Sequence, residues 1–154
     1  MIRREKLILF LATWFGAGKL PFMPGTWGSL AALPLWWLLQ PLSPLSYGLA
    51  VVLLGAAGIY LSSRAETCLQ QADAPVIVID EVVGQLICLA PCPVDWFAVG
   101  LGVVLFRLFD IFKPFPIGAI NARLGGGLGI VLDDVVAGLY AGLVLLLLLK
   151  VMPL

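Results

Sequence analysis

The stretch VLDDVVAGLYAGLVLLLLLK, residues 131–150, sets an acidic pair, Asp133 and Asp134, directly before a run from Val135 to Leu149 that carries no charge. A membrane-spanning helix needs roughly 20 apolar residues, with a range of ~17 to 25. The run approaches that length, and Leu45 to Leu61 is a second of the same class. The remaining apolar runs, Leu30 to Leu39, Val82 to Ala90 and Trp96 to Phe106, are too short to cross alone. Gln40-Pro41 and Pro91-Cys92-Pro93 interrupt them, and proline biases the residue before it away from helix. The short runs are therefore expected as helical hairpins, or as helices packed inside a bundle. The expected fold is an all-α helical bundle membrane protein, one domain over residues 1–154.

Composition agrees. Of 154 residues, 62% are hydrophobic and 12% charged, where an average soluble domain has roughly 25% charged residues. Nine basic and nine acidic residues give a formal net charge of zero, so there is no basic field to recruit nucleic acid. The three cysteines, Cys68, Cys88 and Cys92, lie in or beside apolar runs and are read as packing residues without a disulfide. With no histidine and no second cysteine pair, a zinc site is excluded. The N-terminus puts basic residues before a short apolar run, as a signal peptide does. That run ends in Trp14, Phe15 and Lys19 without a small-x-small site, which predicts a short interfacial or packed helix.

With a cytoplasmic N-terminus, Arg3, Arg4, Lys6, Lys19, Arg64, Arg107, Lys113 and Arg123 fall on the cytoplasmic side and only Lys150 lies opposite. This is the asymmetry of the positive-inside rule. The same face collects Asp80, Glu81, Asp110, Asp133 and Asp134, with Asp95 in an outer turn. The charged groups that could do chemistry are therefore expected to meet at the cytoplasmic surface of a multi-pass membrane protein.

Two features of that face carry chemistry. Ile79-Asp80-Glu81-Val82-Val83 recurs as Leu132-Asp133-Asp134-Val135-Val136, each expected as an acidic pair opening an apolar helix. Carboxylates favour helix N-termini and Asp is a good N-cap, but capping alone does not ask for two acids twice. Helical spacing also puts Arg107, Asp110 and Lys113 on one face ahead of Pro114, which ends or bends the helix. Beside lipid-buried segments such ionisable groups are costly and usually mark a site. Two glycine-rich turns, Pro24–Ser29 and Gly125–Gly129, allow close backbone approach and could aim N–H groups at a phosphate.

Five carboxylates with Arg and Lys but no His favour a hard, oxygen-ligated cation. Mg²⁺ fits best and Mn²⁺ is a substitute. The absence of histidine removes a phosphohistidine intermediate, and the chain has no cysteine-phosphatase loop, no Asp-x-Asp-x-Thr and no P-loop. Metal-assisted attack by water is the simplest remaining phosphoryl chemistry.

The motifs PGTWGSL (24–30), IDEVVGQ (79–85), FRLFDIFKPFPI (106–117) and GGLGIVLDDVVAG (126–138) together resemble the phosphatidylglycerophosphatase A family, in order from about residue 13 to the C-terminus. The resemblance implies a helical bundle that hydrolyses phosphatidylglycerophosphate with Mg²⁺ at the cytoplasmic face. Carried over by position, it implies Asp80, Glu81, Asp133 and Asp134 as metal ligands, with Asp80 and Asp134 counted among the catalytic groups. It implies Arg107, Lys113 and Thr26 at the substrate phosphate, and Asp110 as a further ligand or as the base that orients water. The rival from another class is a small transporter or channel subunit with a carboxylate-lined ion path, which predicts charges spread through membrane depth rather than gathered at helix ends.

Overall fold

The computed structural model describes residues 3–151, and among these the chain is helical without a strand. The helices are α1 (Arg3–Ala12), α2 (Pro24–Ala31), α3 (Leu33–Leu39), α4 (Pro44–Leu69), α5 (Ile79–Cys88), α6 (Trp96–Phe112), α7 (Ile117–Leu124) and α8 (Gly126–Val151). A 3₁₀ turn, Ala17–Lys19, joins α1 to α2.

The short helix α5 is the centre, packed against α8, α4, α2 and α6. Nearly all its residues are buried, including Asp80 and Gln85, and only Glu81 and Ile87 are partly open. A helix apolar on nearly every side has no solvated face to offer, so it settles inside the bundle. Its C-terminal carbonyls find partners from outside the helix, as buried helix ends require. The Tyr47 hydroxyl donates to Leu86 O at 2.7 Å and the Trp36 indole N–H to Leu89 O at 3.0 Å.

Small residues set how closely α8 approaches α5. A Cβ on Gly84 would lie 2.7 Å from the Asp134 carbonyl oxygen and 2.5 Å from Phe106 Cε2, and one on Gly142 would lie 3.1 Å from the Cys88 carbonyl oxygen. Gly138 backs directly onto the Gly84 backbone. The stripes Asp80-Gly84-Cys88 and Asp134-Gly138-Gly142, each stepping by four residues, therefore run side by side, the close backbone packing that small residues permit.

Helices α4 and α8 have 26 residues each and are long and apolar enough to cross a membrane; at ~1.5 Å per residue each reaches about 39 Å, more than the ~30 Å of a hydrocarbon core. Both extend well beyond the apolar runs read from sequence. Leu45, Leu49, Val52 and Leu53 of α4 and Leu139, Leu143 and Leu147 of α8 are exposed, an apolar outer surface of the kind that lipid covers. The N-terminal segment forms a short helix packed on α4, with Arg4 reaching the Tyr60 hydroxyl at 3.3 Å. All three cysteines are free thiols.

Three local expectations need correction. Asp133 and Asp134 do not open α8, which starts at Gly126 and holds them two turns inside; the dipole of a helix start acts on Asp80 and Glu81 only. The segment Pro24–Ser29 is helix rather than turn: Pro24 occupies the first turn, where its missing N–H costs nothing. In the second glycine segment, Gly125 and Gly126 take positive φ at the α7–α8 junction. Gly127 then packs on α4 and its N–H donates to Ser63 Oγ at 3.2 Å, so this segment serves helix packing.

Candidate active site

Three carboxyls, Asp80 and Glu81 from the first turn of α5 and Asp134 from α8, bring ligand oxygens within 4.8 Å of one another. The Gly84–Gly138 contact one turn away places them there, because both stripes continue upward by four residues into an acid. Asp80 and Asp134 are buried, at 7% and 2% exposure. Asp80 Oδ1, Glu81 Oε2 and Asp134 Oδ2 are buried without a hydrogen-bond partner among the described residues. Burial and mutual repulsion push the Asp80 carboxyl well above the usual carboxylate range. Burial, with repulsion from Asp134, pushes Glu81 up to about 8. A cluster of unpartnered carboxylate oxygens this close suits a hard divalent cation, which takes oxygen ligands and replaces the protons.

Helix α6 supplies the cations. Arg107 Nη1 lies 2.6 Å from Asp110 Oδ2 and 3.8 Å from Glu81 Oε1. The nearer contact is a charge pair off the N–H direction, so Nη1 has no aligned hydrogen bond, and Nε is also unpartnered. Lys113 ends α6 in the left-handed region, at φ 42°. That turn brings its ammonium to a short hydrogen bond with Asp133 and to 3.9 Å from Asp110 Oδ1. Burial lowers the affinity of the ammonium for its proton, but the hydrogen bond and charge of Asp133, with Asp110 and Asp134 behind it, outweigh that and raise it above its ordinary value.

The sequence-predicted residues thus fall into two groups. Asp80, Glu81, Asp134, Asp110 and Arg107 form one charged cluster, whereas the Asp133 carboxylate is turned to Lys113 and lies outside the set of three. Side chains at 133 and 134 point about 100° apart around a helix, so one acid of the pair meets α5 and the other the end of α6. Five carboxyls around two cations leave an excess of three negative charges when all are ionised, a balance that a divalent cation and a protonated acid can restore.

Helix α2 rests on the cluster through a residue that sequence reading did not single out. A Cβ on Gly25 would lie 2.7 and 2.8 Å from the Arg107 guanidinium nitrogens and nearer still to Glu81 Oε1. Gly25 is therefore where the α2 backbone rests on the Arg107–Glu81 pair, and Gly28 one turn on rests on Val78 and the Glu81 Cβ. The neighbouring Thr26 Oγ1 is buried without a partner among the described residues. The signal was present in Pro24-Gly25-Thr26, but as close approach to side chains rather than N–H groups aimed at an anion.

The phosphatidylglycerophosphatase A family model matches residues 10–149, which includes all of these residues. The chain is 42% identical over 132 residues to phosphatidylglycerophosphatase A of Escherichia coli strain K12, covering 85% of this chain and 77% of that protein. It is 40% identical over 143 residues to phosphatidylglycerophosphatase A of Haemophilus influenzae, covering 89% and 85%. It is also 37% identical over 150 residues, covering 92% of each, to a Bacteroides thetaiotaomicron protein whose name provisionally assigns a phosphatidylinositol-3-phosphatase activity. No solved structure matches the chain. The four motifs, the helical bundle and these relatives agree: the chain belongs to the phosphatidylglycerophosphatase A family, and is a lipid phosphatase.

Proposed function

We propose that this chain hydrolyses the terminal phosphomonoester of phosphatidylglycerophosphate to phosphatidylglycerol and inorganic phosphate, with Mg²⁺, at the cytoplasmic face of the inner membrane. The observation that carries the reading is the meeting of three carboxylates, each with a buried oxygen that has no partner among the described residues, and one guanidinium in a single cluster. Asp80, Glu81 and Asp134 would hold the cation. When bound, it supplies charge neutralisation and Lewis-acid polarisation of the phosphoryl group.

The chain's own residues do the rest. Arg107 turns its free N–H groups to the phosphate oxygens, where charge-assisted contacts are strongest, and Thr26 Oγ1 donates to a third oxygen. Asp110, held by Arg107 at 2.6 Å, accepts a proton from the attacking water as its oxygen bonds to phosphorus. The bond from phosphorus to the glycerol oxygen breaks, and that oxygen takes up the proton that Asp110 accepted from the water, which returns Asp110 to its starting state. Lys113, anchored by Asp133, adds positive charge at the rim. The apolar outer faces of α4 and α8 keep the enzyme in the bilayer, so the diacyl tails stay in lipid while the headgroup is cut.

Protein purified in detergent and offered phosphatidylglycerophosphate, phosphatidylinositol 3-phosphate and water-soluble glycerol phosphate in parallel tests the substrate. Fastest phosphate release from phosphatidylglycerophosphate is expected; equal or faster release from the inositol lipid would overturn the assignment.

A further inference from the structure

Gln85 has no exposure at all, and neither Oε1 nor Nε2 has a hydrogen-bond partner among the described residues. A buried polar group left unpaired is destabilising, and Leu or Met would fill the position without that cost. The position of the amide explains why it is there. Glu81 and Gln85 of α5 and Leu89 at its C-cap follow one another at four-residue spacing. At the upper end Glu81 meets Gly25 of α2 and Arg107 of α6. At the lower end the Leu89 side chain faces Gly102 of α6, and its carbonyl takes the Trp36 indole of α3. Gln85 thus lies in the seam between α2–α3 and α6, one turn below Glu81.

Side chains four residues apart on a helix can meet, and the unpartnered atoms nearby are complementary. Among the described residues, Glu81 Oε2 is a buried acceptor without a donor and Arg107 Nε is a buried donor without an acceptor. We propose that Gln85 is a positioning residue that bridges the two when the site is loaded: its Nε2–H donates to Glu81 Oε2 and its Oε1 accepts from Arg107 Nε–H. The amide would tie a cation ligand to the phosphate-binding guanidinium, so that loading one orients the other. This role rests on the reading of Asp80, Glu81 and Asp134 as the cation site.

The test uses full-length protein in detergent, with Mn²⁺ binding followed by electron paramagnetic resonance and metal-free heat stability measured beside it. Gln85→Met and Gln85→Leu keep the volume and remove both polar atoms. Each is expected to be at least as heat-stable as wild type without metal, yet to bind Mn²⁺ on the order of tenfold more weakly, the usual scale for losing a partner that orients a ligand. In a Glu81→Gln background the Gln85 substitutions should add almost nothing, since both act through one carboxylate. Unchanged Mn²⁺ affinity in the Gln85 variants, or full additivity with Glu81→Gln, would overturn the bridge while leaving the cation site standing. Loss of metal-free stability in both variants would also overturn it, because it would make Gln85 a packing residue. A wild-type protein that takes up no Mn²⁺ would overturn the cation site and the bridge together.

Discussion

Gly84 of α5 and Gly138 of α8 touch backbone to backbone, and that contact decides where Asp80 and Asp134 meet. Four residues before each glycine stands one of the two acids, so the spacing of the helices at the glycines sets the spacing of the carboxylates. A Cβ at Gly84 would sit 2.5 Å from the Phe106 ring and 2.7 Å from the Asp134 carbonyl. Gly84→Ala gains up to ~1 kcal/mol of helix propensity but incurs an overpacking cost of about 1–3 kcal/mol. A lower melting temperature in detergent, together with weaker Mn²⁺ binding, is expected; a stabilised variant with normal metal affinity would show that the contact does not position the acids.

At the carboxylate cluster, the cation is expected to compete with protons. Glu81 is pushed up to about 8 and Asp80 is also raised, so near neutral pH the metal-free site holds protons that binding must displace. Below pH 8, apparent Mn²⁺ affinity should therefore strengthen as pH rises, by about tenfold per pH unit for each proton released. Calorimetry in buffers of different ionisation enthalpy should show proton release on binding. An affinity that is flat from pH 6 to pH 8 would contradict this.

Asp133 and Asp134 are expected to separate on mutation, although they are neighbours of the same kind. Asp134→Asn should weaken Mn²⁺ binding severely. Asp133→Asn removes the partner of Lys113 and should lower stability, by on the order of 2 kcal/mol after allowing for the partial exposure of the lysine, with metal affinity changed only a few-fold. Denaturation and metal titration of the two variants check this, and a collapse of metal binding in Asp133→Asn would return it to the ligand set.

Arg107→Ala is expected to spare metal binding and cut kcat/KM for the lipid. Charge-assisted contacts of ~1.5 to 3 kcal/mol correspond to a loss of roughly 10- to 150-fold. Lipid kinetics at saturating Mg²⁺ measure it, and an unchanged kcat/KM would reduce Arg107 to a partner of Asp110.

Much of this was legible in the sequence, for identifiable reasons. The acids and the Arg107-Asp110-Lys113 face stand out because charge is rare in so apolar a chain, and Pro114 and the proline-rich break after α5 mark helix ends that the structure keeps. Helix starts were less visible. Glycine reads as a turn former, so Pro24–Ser29 and the beginning of α8 were placed outside helices, whereas packing against α5, α6 and α4 makes those glycines useful inside or at the start of them. With the start of α8 misplaced by two turns, nothing in the sequence could distinguish Asp133 from Asp134. Gln85 closes the motif at 79–85 but carried no chemical signal of its own, since a single neutral amide in an apolar run acquires meaning only once its burial and its neighbours are known.

Phosphate release from phosphatidylglycerophosphate, by protein first stripped with EDTA and then given Mg²⁺, tests the central claim most directly. Stripped wild type is expected to be inactive and to recover on addition of Mg²⁺, and Asp134→Asn to recover only at far higher Mg²⁺. Full turnover by the stripped protein, or wild-type metal dependence in Asp134→Asn, would contradict a mechanism built on the three clustered carboxylates.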